Sequence, residues 1–219
     1  MEYDDVGEGE DSGETRVTVR VPLGTRLALT SGLERHRAWA QQSKAQHRKQ
    51  LKGLTPSQQN TLRAEQRQAL DDLRSGGSLL DKRGLLIAFG VRQELQAQGW
   101  DRSWTGMEWE EITPGLLPAA MGNSYPESLS LSLPATLVEQ VGAACWSSSR
   151  ESIGRLRQWR ADYTAAAPPP RGTPPEAEYK RLAAGVTTTG QVYRAGIRRG
   201  LQAALQTPTP LLVKALAPH

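Results

Sequence analysis

Two short segments in which polar and apolar residues strictly alternate constrain the fold of this 219-residue chain most. The first reads RVTVRVP over residues 16–22, and the second reads SLSLSLP over residues 128–134. A period of two residues predicts a β-strand that buries one face and exposes the other. Because proline cannot extend a ladder but suits the first turn of a helix, each strand is expected to end at its proline and to lead into a helix.

The two strands belong to a pattern that recurs along the chain. After the strands, which lie 112 residues apart, three further matches follow in the same order. They are Leu33-x-Arg35-x-Arg37-x-Trp39 with Ile153-x-Arg155-x-Arg157-x-Trp159 at an offset of 120, Thr55-Pro56 with Thr173-Pro174 at 118, and Gly90-Val91-Arg92-x-x-Leu95 with Gly196-Ile197-Arg198-x-x-Leu201 at 106. Four co-linear matches indicate an internal duplication with small insertions and deletions. The alternative is chance similarity in a chain rich in Arg, Ala and Leu.

The sequence predicts a mainly α-helical fold with a short two-stranded antiparallel β-ribbon made of strands 16–21 and 128–133, because a lone ribbon strand needs a partner for its edge. The two related halves would then form a single-chain pseudo-dimer. The expected organisation is a disordered acidic tail at 1–14, a first strand-plus-helices repeat at 15–98, a Trp-containing linker at 99–127, a second repeat at 128–206 and a tail at 207–219. Helices are expected at 22–29, from Thr30 or Ser31 through Trp39, and at 55–74, 79–98, 134–146, 149–160, 174–184 and 189–206.

Three tryptophans mark the linker between the repeats. Trp100, Trp104 and Trp109 are accompanied by glutamates at 108, 110 and 111. Negative charge is unfavourable on a platform that stacks nucleic-acid bases, since such platforms lie in positively charged grooves. The tryptophans are therefore interpreted as a structural clasp between the two halves, with base stacking as the alternative.

Charge is distributed unevenly along the chain. Residues 1–14 carry seven acids and no base, so the rest of the chain has 27 Lys and Arg against 16 Asp and Glu, a formal +11. A basic body suits a polyanion such as nucleic acid, since binding then gains from counterion release. The alternative is a solvated basic surface with a solubilising tail. If the body binds DNA, the acidic tail is expected to compete for its basic surface.

Composition also bears on location. Cys145 is the only cysteine, so an internal disulfide and a cysteine-rich metal site are excluded. No stretch approaches the roughly 18–20 apolar residues that a membrane span needs, and the acidic N-terminus does not resemble a secretory signal. Arg outnumbers Lys 21 to 6, a bias typical of bacterial genomes rich in GC. A cytoplasmic, nucleoid-associated bacterial protein is expected.

Catalytic constellations are missing from the sequence. The three histidines, His36, His47 and His219, have no partners at metal-ligand spacing. There is no Gly-rich phosphate loop, Gly-x-Ser-x-Gly elbow or Asp-x-Asp pattern. Cys145 beside Trp146 suggests packing rather than nucleophilic catalysis. We therefore expect a protein that is not an enzyme and that uses no cofactor and no metal.

Residues 128–163 resemble the ribbon-helix-helix DNA-binding module, and residues 16–50 resemble it more loosely, because each strand leads through proline into a helix and a Ser-rich turn. In that family two chains each contribute one strand to a ribbon that enters the major groove. The resemblance implies base contacts from the outward residues Arg16, Thr18, Arg20, Ser128, Ser130 and Ser132. It implies phosphate contacts from helix starts at Ser31–Gly32 and at Ser149–Arg150. Two further helices in each half and the Ser-only outer face of the second strand depart from the family.

The C-terminal part of the chain offers a second nucleic-acid interpretation. Residues 176–206 are similar to a helix-turn-helix, with a turn glycine at 185 and a basic second helix that carries Arg194 and Arg198. The alternative is a simple helical hairpin.

Together these patterns predict a non-enzymatic, sequence-specific double-stranded DNA-binding protein. Transcription regulation and the maintenance of a plasmid, phage or chromosome segment are the expected roles. The unlike outer faces of the two strands would read an asymmetric site, and a homo-oligomer is compatible with the sequence. The alternative is a helical adaptor or assembly protein whose Arg-rich helices bind an acidic protein partner.

Overall fold

The computed structural model describes residues 13–104, 125–163 and 169–206. Its elements are β1 (Glu14–Val21), α1 (Thr25–Gln50), α2 (Pro56–Ser75), α3 (Arg83–Ala97), β2 (Glu127–Pro134), α4 (Ala135–Asp162), α5 (Pro174–Ala183) and α6 (Thr189–Gln206). The order strand, helix, helix, helix thus occurs twice within the described part of the chain. The predicted fold class is confirmed as mainly helical with a two-stranded antiparallel sheet.

The two strands pair as predicted. β1 and β2 are antiparallel, and the pair at the centre of the register is Thr18 with Ser130. Val19 and Val21 on one strand and the leucines at 129, 131 and 133 on the other are buried in the main core. The alternate residues point away from this core. The alternation in the sequence therefore predicted correctly which residues lie on each face of the ribbon.

Helices α3 and α6 pack closely under the ribbon because glycines allow their backbones to meet. A Cβ atom on Gly90 would clash with the backbone of Gly196 and Gly200, and a Cβ atom on Gly196 would clash with Val91. Side chains from both helices, including Leu86 and Val192, are buried in the same cluster as the inner face of the ribbon. The Gly-Val-Arg and Gly-Ile-Arg matches therefore mark the closest approach of the two helices.

The predicted breaks in the long helices are wrong. α1 continues through Thr30 and Ser31, and α4 continues through residues 147–149. The hydroxyl groups find partners without breaking the helix, since Thr30 Oγ1 donates to the carbonyl of Arg26 and Ser148 Oγ donates to that of Cys145. Buried side chains continue on both sides of each expected break, so burial outweighs the local preference of serine for turns.

In each half, the long helix and the helix that follows it pack together as a helical hairpin. In the first half, Trp39 packs with Leu70 of α2 and with Leu79. In the second half, the ring of Trp159 lies 5.2 Å from that of Tyr179 in α5. The predicted helix starts at 55 and 174 are confirmed, because Thr55 and Thr173 are the N-cap residues of helices that begin with proline.

The linker tryptophans that the structure describes contribute to packing. Trp100 and Trp104 are partly buried against the main core, and Gln140 of α4 donates a hydrogen bond to the Trp100 carbonyl at 3.3 Å. Both contacts agree with the clasp interpretation. Trp109 and its neighbouring glutamates, residues 1–12 of the acidic tail, and residues 207–219 lie outside the described residues. Glu14 belongs to β1 rather than to the tail.

Among the described helices, none combines the length and the apolar character that a membrane crossing requires.

Candidate nucleic-acid interface

The outer face of the ribbon collects the six side chains that the sequence indicates for base contacts. Cross-strand partners are Arg16 with Ser132, Thr18 with Ser130, and Arg20 with Ser128. All are exposed except Ser128, which is half-buried. The face therefore presents two guanidinium groups and four hydroxyl groups at regular spacing. Guanidinium groups can donate two hydrogen bonds to guanine, and hydroxyl groups can donate or accept.

The two ribbon arginines are not neutralised by their described surroundings. Neither Arg16 nor Arg20 forms an ion pair with a described residue. Glu127, the acid at the start of β2, faces the beginning of α1 instead. Its two carboxylate oxygens accept hydrogen bonds from the backbone N–H groups of Gly24, at 2.9 Å, and of Arg26, at 3.3 Å. The carboxylate thus stabilises a helix N-terminus. Exposed Glu14 shares the outer face with Arg16 by strand alternation, so the two arginines leave this face with a net positive charge.

The turn after β1 depends on Gly24. This residue is the N-cap of α1 and has a φ angle of 85°, which lies in the left-handed region that glycine adopts readily. The guanidinium group of Arg26, in the first turn of α1, donates to the carbonyl of Ser128 on the opposite strand. The start of α1 therefore fixes one end of the ribbon.

Arg194 supports the same end of the ribbon from α6. Its Nη1 atom donates to the carbonyl of Arg20 at 3.1 Å, and its guanidinium carbon lies 4.2 Å from the centre of the Tyr125 ring. Arg198, one turn further along α6, is exposed. Both arginines line an open cavity of about 530 Å³ at this end of the ribbon. The geometry makes Arg194 a positioning residue for Arg20, while the side chain of Arg198 remains accessible.

Other side chains of α6 face the core rather than a groove of DNA. Val192, Tyr193 and Ile197 are buried, and burial raises the pKa of Tyr193 to about 12. Arg199 forms an ion pair with Glu94 of α3. Burial acts to raise the pKa of Glu94, but the hydrogen bonds from Arg199 and Gln98 outweigh it and hold this pKa below its ordinary value. Helix α6 is therefore mainly a packing helix, which argues against its use as a recognition helix.

The expected phosphate contacts at helix starts are not available. Ser31–Gly32 and Ser149–Arg150 lie in the interior of α1 and α4, where the backbone N–H groups serve the helices themselves. Ser149 is buried, and its hydroxyl oxygen accepts the N–H of Thr187 at 2.8 Å. The Arg150 side chain is exposed on α4. Ser149 is thus a structural residue, and the prediction of a helix-start grip is wrong.

The titratable groups in the core serve packing. Burial raises the pKa of the Cys145 thiol to about 12, which leaves it protonated and unreactive at neutral pH. His36 accepts the N–H of Leu80 through Nδ1 at 3.3 Å, and burial lowers the pKa of this histidine. Within the described ranges, His, Cys, Asp and Glu residues form no group of three or more that could hold a metal ion.

No protein-family model, curated protein or solved structure matches this chain.

The sequence indicated the outer face of the ribbon, and it indicated Arg194 as a DNA contact rather than as a support of the ribbon. It did not indicate Glu127 or Arg26. Glu127, Arg26 and Arg194 act through contacts with residues more than 100 positions away. No local pattern marks such partners. The one available signal was that Glu127 is the only charged residue of β2.

Proposed function

We propose that this chain is a non-enzymatic protein that binds double-stranded DNA by inserting the β1–β2 ribbon into the major groove. The observation that carries the proposal is the pairing of two strands 112 residues apart so that Arg16, Thr18 and Arg20 share one outer face with Ser128, Ser130 and Ser132. The major groove of B-DNA is wide enough for a two-stranded ribbon, and these side chains have the donors and acceptors that base edges require.

The proposal includes an internal duplication, so that one chain supplies both strands of a ribbon-helix-helix-like pseudo-dimer. Three observations support it: the element order is repeated, residues equated by the 112-residue offset face each other as Thr18 and Ser130, and the equated Gly90 and Gly196 meet at the α3–α6 contact. The continuous helices α1 and α4 are a departure from the family, in which the second helix starts with a phosphate grip.

Because the Arg-containing strand faces a Ser-only strand, the target is expected to be an asymmetric sequence. Arginine favours guanine through two parallel hydrogen bonds, whereas serine tolerates several bases. We propose a role in transcription regulation or in the maintenance of a plasmid, phage or chromosome segment, at the nucleoid.

Selection of bound duplexes from a random pool tests the proposal. A short asymmetric motif should be enriched, and its affinity should fall steeply with salt. The Arg16→Ala/Arg20→Ala variant should lose this affinity. The matched control is Arg155→Ala/Arg160→Ala, which removes the same charge from exposed positions on α4 and should bind as the unmodified protein does. Absence of binding to any duplex at low salt, together with capture of an acidic protein, would favour the adaptor function instead.

A further inference from the structure

The hairpin formed by α1 and α2 carries a group of positive charges that takes no part in the proposed ribbon contacts. Residues 35–64 contain seven Lys and Arg and no Asp or Glu. Five of these cations surround the turn between the two helices. They form what we call the hairpin tip: Lys44, Arg48, Lys49, Lys52 and Arg63. All five side chains are exposed, and none forms an ion pair with a described residue.

The backbone beneath the hairpin tip is well fixed. Thr55 and Gln58 form a reciprocal capping box at the start of α2. Gln59 donates a hydrogen bond to the carbonyl of Leu54 at 3.0 Å. His47 is buried between the exposed cations of α1, and the nearby charge of Arg63 adds to burial in lowering its pKa. The cations of both helices therefore project from a hairpin with an ordered turn rather than from a loose loop.

The hairpin tip is far from the ribbon. Arg48 lies 23 residues after the start of α1 at Thr25, which corresponds to about 35 Å at 1.5 Å per residue. One turn of B-DNA is about 34 Å long. A surface at this distance lies outside the few base pairs that a ribbon can cover in one groove.

The equivalent hairpin of the second half lacks this character. Its cations are partly offset by acids, since residues 155–184 contain six Lys and Arg and three Asp and Glu. Lys180 pairs with Glu176 at 2.8 Å, and Arg181 lies 3.9 Å from Glu178. Asp162 ends α4. A general need for solubility would affect both hairpins alike, so the acid-free stretch in the first half indicates a partner that is itself strongly anionic.

We infer that the hairpin tip is a second DNA-contacting surface, which binds phosphates of the duplex outside the ribbon site without reading their sequence. The inference rests on the proposed DNA binding. Lysine and arginine side chains on a fixed scaffold are the usual partners of backbone phosphates, and such contacts position a protein rather than select bases. The hairpin tip would supply the phosphate anchorage that a helix start provides in the ribbon-helix-helix family.

The test compares duplexes that carry the selected motif at two lengths, about one and about four helical turns of roughly 10 base pairs each. The unmodified protein should bind the longer duplex more tightly. In the Lys44→Ala/Arg48→Ala/Lys49→Ala/Lys52→Ala variant this advantage should disappear. The slope of log K against log salt should fall by about 3 to 4 for four lost phosphate contacts. Base preference should not change.

Two controls make the result specific. Exchange of the three lysines for arginine keeps the charge and should keep the length advantage. Replacement of Arg155, Arg160, Lys180 and Arg181 by alanine removes the same number of cations from the second hairpin and should leave the advantage intact. Circular dichroism melting verifies that each variant is folded.

The outcomes separate this inference from the proposed function. An unchanged length advantage and salt slope in the hairpin-tip variant would overturn the inference, while loss of binding in Arg16→Ala/Arg20→Ala would still support the ribbon. If instead the ribbon variant kept its base preference and the hairpin-tip variant lost affinity, the ribbon proposal would fail and the second surface would stand. No binding of the unmodified protein to either duplex would overturn both.

Discussion

The first half of the described chain, residues 14–97, and the second half, residues 127–206, bury apolar side chains at matched positions. At the 106-residue offset, Leu86 corresponds to Val192 and Val91 to Ile197, and all four are buried in one core. Outside, the halves differ. The first half exposes Arg16 and Arg20 and the basic hairpin tip, whereas the second half exposes serines on its strand and a hairpin whose cations are partly paired with acids.

This difference shows which positions packing constrains. A close-packed interior accepts only side chains of suitable volume, so matched core positions stay apolar and matched close approaches stay glycine. Exposed positions carry no such requirement and are free to diverge. Under the proposed duplication, one copy has concentrated the positive charge while both copies have kept the apolar core.

The largest expected effect is a loss of stability when a glycine at the α3–α6 contact is substituted. Gly90→Ala places a Cβ atom against the backbone of Gly196 and Gly200, which cannot move as a flexible side chain would. The free energy of unfolding should fall by about 2–4 kcal/mol, and Gly196→Ala should behave alike. Denaturant titration measures both variants. Gly154→Ala is the control, because its Cβ would meet nothing within 4 Å, and it should stabilise α4 by up to about 1 kcal/mol. A tolerated Gly196→Ala would show that the two glycines are not equivalent.

The next effect concerns the unlike outer faces of the ribbon. Arg16→Ala/Arg20→Ala should weaken binding of the selected duplex by about 2 kcal/mol or more, since a bidentate arginine contributes about 1–3 kcal/mol. Ser128→Ala/Ser132→Ala should cost about half as much, since each neutral hydrogen bond contributes only about 0.5–1.5 kcal/mol. Fluorescence anisotropy gives both values. Equal losses would contradict the proposed asymmetry of the site.

A smaller effect follows from the histidines, because the two that are described, His36 and His47, both lie in the first half. Burial lowers both pKa values below the ordinary 6.5, with Arg63 adding to the shift at His47. At His36 the polar backbone of Ala204 and the charge of Asp81 oppose the shift, whereas the charge of Arg35 adds to it. Below pH 6.5 the unfolded chain therefore binds more protons than the folded chain. The free energy of unfolding consequently decreases as the pH is lowered through this range.

Hydrogen exchange between pH 7.5 and pH 5.5 measures this asymmetry. Protection in α1 and α2 should decrease more than protection in α4 and α5. The His36→Asn/His47→Gln variant, which cannot take up these protons, should lose the difference. Equal loss of protection in the two halves would show that the histidines do not control the acid response.

The smallest effect concerns the acidic tail. Deletion of residues 2–12 removes six acids that precede the ribbon in sequence. DNA affinity should rise by about two- to fivefold at low salt, and the gain should vanish at high salt, where such interactions are screened. Replacement of the same acids by Asn and Gln is the control for chain length. Unchanged affinity would show that the tail does not compete for the basic surface.

The sequence allowed the ribbon to be predicted in detail because strand alternation is a local pattern with an unambiguous period. The helix breaks could not be predicted correctly from serine runs, since Ser148 and Ser149 found partners in the helix and in a distant loop. The support of Arg20 by Arg194 was inaccessible for the same reason, because it depends on tertiary contact alone. The acid-free stretch 35–64 was visible in the composition, although its exposure on a hairpin was not.

The pairing of β1 with β2 within one polypeptide has a consequence for how the protein is used in a cell. Where two separate chains must meet to complete a ribbon, the fraction of assembled sites depends on protein concentration. Here the partner strand is tethered, so ribbon formation is a first-order event with the same yield at any abundance. The same tether delays it until Pro134 has been synthesised, since β1 has no strand to pair with before then. A few copies per cell would suffice to maintain complete ribbons.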